Sequence, residues 1–106
     1  SLALASKRES YLKDFKEFLE NKNLNGKLNS FMTEQNVKEF LELRTSDLSP
    51  KSSLDYITGF NSLLKGLEEK NITIPSNPSK NDFLSPMRQE LKTELKNQDF
   101  TKNRAV

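Results

Sequence analysis

The sequence predicts an all-α protein of four to five helices, and three observations carry that prediction. Apolar residues recur every three or four positions in separate stretches, and a Ser or Thr stands where each of the first three would begin. No stretch alternates apolar and polar residues between hairpin turns, apart from residues 72–74. Short connections between the stretches imply a compact bundle or crossed helical hairpins.

Ser6 to Glu9 reads as a capping box, and Tyr11, Phe15, Phe18 and Leu19 then share a helical face, so a first helix is expected over about 7–21. Residues 21–30 are rich in Asn and contain Gly26, which breaks the helix. Thr33 caps a second helix with Glu34 in its first turn, where the dipole favours an acid, and Val37, Phe40 and Leu41 form its stripe. The third helix takes Ser49 as cap and Pro50 at the first position, where a missing N–H costs nothing. Its stripe is Leu54, Ile57, Phe60, Leu64 and Leu67, running to about Lys70, and Gly59 inside it suggests the close approach of another backbone. Residues 71–82 hold two prolines and several turn formers and are expected to end the compact part. Met87, Leu91 and Leu95 make a narrow stripe for one more helix, and residues 99–106 read as a linker.

Composition narrows the function. A chain of 106 residues has room for one domain, and 33% hydrophobic with 30% charged residues suits a small helical unit with a wide solvated surface. Seven Phe residues argue against disorder. The absence of Cys and His removes disulfides, thiolate nucleophiles, the usual zinc sites and imidazole bases, so neither a metal nor a cofactor is expected. The acid pairs Glu68 with Glu69 and Glu17 with Glu20 are the pattern of a solvated surface, and Tyr11 and Tyr56 have no cationic relay around them, so no enzyme is built from these residues. Residues 2–5 are too short an apolar run for a signal peptide or a membrane span, which makes a soluble cytoplasmic protein the expectation. Asn71-Ile72-Thr73 matches a glycosylation acceptor by chance.

The sharper signal is at the helix starts. Lys7 with Arg8, and Lys51 with Ser52 and Ser53, put cations and hydroxyls into first turns where an acid is favoured, whereas the helix after Thr33 has its acid. Free N–H groups, dipole and cation together make an anion site, and a duplex offers regularly spaced phosphates to two such ends. The plain alternative is that Lys and Arg occur on any surface and Ser is a good cap; a net charge of +2 pulls only weakly toward nucleic acid. Tyr56 lies off the main apolar face, either able to stack or donate to a phosphate or serving as a core rim, and Tyr11 falls with the core residues.

Two stretches resemble the core-binding domain of tyrosine recombinases, the phage integrase family. In "YLKDFKEFLE" the residues Tyr11, Asp14, Phe15 and Phe18 match the family's first-helix motif. "LSPKSSLDYITGFNSLLKGL" is similar to its Leu-Ser-x-x-Thr helix start, with Ser52 at the Thr position, Ile57, Phe60 and Leu64 in the stripe, Thr58 and Gly59 as the small pair, and Asn77-Pro78 closing the unit. The similarity covers about residues 7–78; Lys7 stands where a Thr is usual and Asn61 where an Arg is frequent.

The resemblance implies a SAM-like domain of crossed helical hairpins over residues 1–80, an additional helix of the same unit over 81–98, and a linker over 99–106 toward a separate catalytic domain. It implies a non-catalytic DNA-binding fragment of a site-specific recombinase that clamps double-stranded DNA, with the C-terminal catalytic domain of the same chain as partner, an oligomer assembled on DNA, and no membrane. Lys7, Arg8, Lys51, Ser52 and Ser53 are assigned to phosphates, with Tyr56 and Asn61 facing a groove from the same helix. The assignment requires two helix tips, at Lys7 and at Ser49 to Ser53, pointing outward on one side. The rival from another class is a helical protein-interaction module using the last helix or the Phe-rich faces.

Overall fold

A computed structural model describes the backbone of residues 2–104 and the side chains of residues 7–97. Helix α1 (Leu2–Asn21) is followed by a 3-10 turn (Leu28–Phe31), α2 (Glu34–Thr45), α3 (Pro50–Glu69) and α4 (Ser85–Arg104), with no strand among the described residues. The fold is all-α.

The caps follow the local chemistry. Thr33 Oγ1 accepts the Asn36 N–H at 3.1 Å, and Ser49 Oγ accepts the Ser52 N–H at 3.3 Å with Pro50 next in the chain. Two helices end on asparagine. Asn23 and Asn71 have φ of 59° and 63°, and each helix closes with the paired bonds of a left-handed cap: Leu24 to Leu19 and Asn23 to Glu20 in α1, Ile72 to Leu67 and Asn71 to Glu68 in α3. The apparent glycosylation acceptor therefore holds a helix-terminating residue.

Helix α1 starts earlier than the capping box at Ser6 predicts. Leu2 to Ala5 are strong helix formers with no breaker, so the helix propagates through Ser6 and no cap is needed there. Lys7 and Arg8 consequently lie beyond the first turn, and their N–H groups belong to the helical ladder.

Helix α3 packs against each of the other three α-helices. The core joins Phe15, Phe18 and Leu19 from α1, Val37, Phe40 and Leu41 from α2, and Ile57, Phe60, Leu63 and Leu64 from α3. Phe40 sits at its centre, 5.2 Å from the ring centroids of both Phe15 and Phe60.

The segment 71–82 does not end the compact part. Ile74, Ser76 and Pro78 are buried, as are Phe83 and Leu84 just beyond. The Ser76 N–H donates to Met32 O at 3.1 Å, Asn29 Nδ2 to Thr73 O at 2.9 Å, and Asn81 Nδ2 to Glu34 Oε1 at 2.6 Å. Proline and turn residues suppress periodicity, yet a strap with a few inward apolar groups and paired backbone can close a core. Met87 and Leu91 of α4 pack on that core. The backbone is helical over 99–104 of the expected linker, and residues 105 and 106 lie outside the described residues.

Candidate nucleic-acid interface

Helices α1 and α3 run antiparallel: Arg8 lies over Gly66, Tyr11 over Gly59, and Asp14 meets Tyr56. Between them is a groove of about 660 Å³ to which α1 contributes Lys7, Arg8 and Tyr11, and α3 contributes Ser52, Asp55 and Tyr56. Ser52, Asp55, Gly59, Ser62 and Gly66 repeat at three and four residues, so α3 presents a strip of short side chains here. Small residues on one helix and long ones on the other keep the interface open at the surface.

Gly59 is explained differently from the sequence expectation. A Cβ at this position would lie 2.2 Å from Tyr11 Oη and 2.8 Å from its Cζ. A tyrosine ring, rather than a backbone, approaches. Tyr11 is therefore only partly buried; it packs edge-on to Tyr56 at 4.9 Å and turns its hydroxyl into the groove. Burial raises the Tyr11 phenol above its ordinary pKa, and the charge of Asp55 adds to the effect.

The seven assigned residues divide. Lys7, Lys51 and Ser52 are exposed and Arg8 is half-buried, with Lys7, Arg8 and Ser52 brought to one groove and Lys51 beside Ser52 on the open first turn of α3. Ser53 is not a surface group: it is 4% exposed, and its hydroxyl donates to Thr45 O at 3.3 Å, within the α2 to α3 turn. Asn61 does not face the groove: it is 7% exposed, because on the helix wheel it lies at the edge of the buried face next to Ile57 and Leu64, and its Oδ1 has no hydrogen-bond partner among the described residues. Tyr56 lines the groove with its ring, but its hydroxyl is already used.

That hydroxyl donates to Asp14 Oδ2 at 2.8 Å, and the same oxygen accepts from Arg44 Nε at 3.2 Å. Arg44 also lies 5.8 Å from the Tyr56 ring centroid. One residue from each of α1, α2 and α3 is thus tied into a single network. Burial, then the bond to Asp14, holds the Tyr56 phenol far above its usual range, so it remains a neutral donor. Arg44 is held in its charged form, first through its hydrogen bond with Tyr56. The network ties the three helices together.

The two-tip arrangement also needs correction. Only the end at Ser49 is a helix N-terminus, because α1 begins at Leu2, and the antiparallel pairing sets Lys7 toward the C-terminal half of α3. What remains is one exposed cap with Lys51 and Ser52, and two mid-helix cations farther along the same groove. The sequence reading placed Tyr11 with the core rather than in this groove and assigned Asp55 to no site; the three-and-four spacing of short residues around Gly59 was the signal that could have placed them here.

No group of three or more acidic side chains suited to a metal occurs among the described residues, and no described helix is long and apolar enough to cross a membrane. Comparison with protein-family models, curated proteins and solved structures finds no significant match to this chain.

Proposed function

We propose that the chain is a DNA-binding domain that lays the α1/α3 face against a duplex, Lys7, Arg8, Lys51 and Ser52 contacting phosphates. The observation that carries this reading is the convergence of Lys7 and Arg8 from α1 on the same groove as Ser52 of α3, next to an exposed helix N-terminus bearing Lys51. At this end Pro50 has no N–H and those of Ser52 and Ser53 are taken by Ser49, which leaves the Lys51 N–H, the positive dipole and a lysine in place of an acid to favour an external anion. The motif resemblance gives the wider context: a core-binding domain of a tyrosine recombinase that grips its site while a C-terminal catalytic domain of the same protein cuts and rejoins strands, without chemistry in the residues present here.

The competing role, protein interaction, has one observation of its own: Leu43, 64% exposed, borders a shallow cleft between α1 and α2 that reaches Phe18 and Phe40. Titration of a fluorescent duplex at low and moderate salt separates the two. DNA binding predicts non-specific affinity of roughly 10⁻⁴–10⁻⁶ M at physiological salt, tightening steeply as salt falls. No binding at low salt, together with a stable complex to a protein partner, sinks the proposal.

A further inference from the structure

The loop between α1 and the 3-10 turn carries an Asn-Gly pair that neither the core nor the groove uses. Asn25 and Gly26 are both exposed, and neither residue makes a hydrogen bond among the described residues, through backbone or side chain. Their neighbours are tied down. Asn23 closes α1 in the left-handed conformation, the Leu24 N–H donates to Leu19 O at 2.9 Å, and Lys27 O accepts from both the N–H and the hydroxyl of Ser30. The fold also requires the glycine: Gly26 has φ of 153°, which a residue with a side chain rarely adopts, and a Cβ there would lie 3.1 Å from Phe31 Cε2. The chain therefore keeps a residue without a side chain directly after an exposed, unbonded asparagine, whereas every other asparagine is followed by a larger residue.

We propose that Asn25-Gly26 is a site of spontaneous covalent modification, in which the pair cyclises to a succinimide and hydrolyses to aspartate and isoaspartate. The Gly26 amide nitrogen attacks Asn25 Cγ. The N–Cγ bond forms, the Cγ–Nδ2 bond breaks, and Nδ2 leaves as ammonia with the proton that the Gly26 nitrogen gives up. Water, the only co-reactant, then opens the imide ring: attack at Cγ gives aspartate, and attack at the Asn25 main-chain carbonyl gives isoaspartate, with the backbone routed through Cγ. The nucleophile and its target belong to one dipeptide, so their effective concentration is high, and no side chain on Gly26 obstructs the approach. Either product sets a carboxylate between Lys22 and Lys27, and isoaspartate lengthens the backbone by one methylene ahead of the turn whose Leu28 and Phe31 pack on the core. The pair lies outside the α1/α3 groove, so this inference does not depend on DNA binding.

Incubation of the wild-type chain, folded and in guanidinium, at neutral and mildly alkaline pH, followed by proteolysis and fragment mass spectrometry, tests this. In the folded chain the peptide of residues 23–27 gains the mass difference between NH and O at Asn25, with isoaspartate in excess over aspartate. The conversion quickens as pH rises, because the deprotonated nitrogen attacks, and its rate stays within a few-fold of that in the unfolded chain. Asn29 is the internal contrast: its Nδ2 donates to Thr73 O at 2.9 Å, so it keeps its amide in the folded chain and converts only when unfolded. Asn25→Gln, with a longer side chain, shows no gain in that peptide over the same time. An Asn25 that converts only in guanidinium, a folded rate no higher than that of Asn29, or a product that is aspartate without isoaspartate, the mark of direct hydrolysis, overturns the proposal.

Discussion

Asp14 and Tyr56 meet across the α1/α3 interface, the phenol donating to Oδ2 at 2.8 Å while Arg44 reaches the same oxygen from α2. Removing the acceptor strands two donors, one of them half-buried. Asp14→Ala should cost about 1–3 kcal/mol and Tyr56→Phe nearer 1 kcal/mol, with the double variant less destabilised than the sum. Urea titration of the four proteins measures the coupling; strict additivity would mean that the hydrogen bond contributes nothing.

Gly59→Ala tests the Tyr11 contact. Alanine favours a helix interior by about 1 kcal/mol over glycine, but the new Cβ would displace the ring and its edge-on packing with Tyr56 and Phe60. A net loss of stability is expected in the wild-type background. In a Tyr11→Ala background the obstacle is gone, so the same substitution should stabilise. Thermal melts of both pairs read the sign reversal.

High pH should weaken the fold. The Tyr56 and Tyr11 phenols are raised in the folded chain, whereas the unfolded chain ionises its tyrosines near pH 10. Above that pH the folded state holds more protons than the unfolded one, so stability is fully present below about pH 10 and falls as pH rises, by at most about 1.4 kcal/mol per pH unit for each tyrosine. Melts between pH 9 and 11.5 should show the fall, and Tyr56→Phe should flatten it.

Cap and contact should separate at the start of α3. Ser49→Ala removes the acceptor of the Ser52 N–H and should cost about 1 kcal/mol, or about 4–8 °C in Tm. Lys51→Glu touches no such bond. It should leave Tm unchanged or slightly raised, since an acid is favoured in a first turn, while weakening duplex binding and reducing the salt slope by about 1. A Lys51→Glu protein that melts like wild type and binds DNA with the wild-type salt dependence would remove this end from the interface.

Asn61 offers the converse. Because it is buried beside Ile57 and Leu64, Asn61→Ala should change Tm and leave DNA affinity as it was. Binding lost at constant Tm would show that the side chain reaches DNA after all.

Helix boundaries set by short-range chemistry were legible from the chain alone. Thr33 and Ser49 cap where a hydroxyl precedes a periodic apolar run, and Val37, Phe40, Leu41, Ile57, Phe60 and Leu64 are buried as their spacing indicates. These are local properties, decided within one or two helical turns. Packing between distant segments decided the rest. It brings Ile74 and Phe83 into the core from a strap without periodicity, sets Tyr11 on Gly59, turns Ser53 and Asn61 inward, and gathers Lys7, Arg8, Ser52 and Asp55 around one groove. Burial and approach depend on which surface another helix covers, and no local pattern of residues specifies that partner.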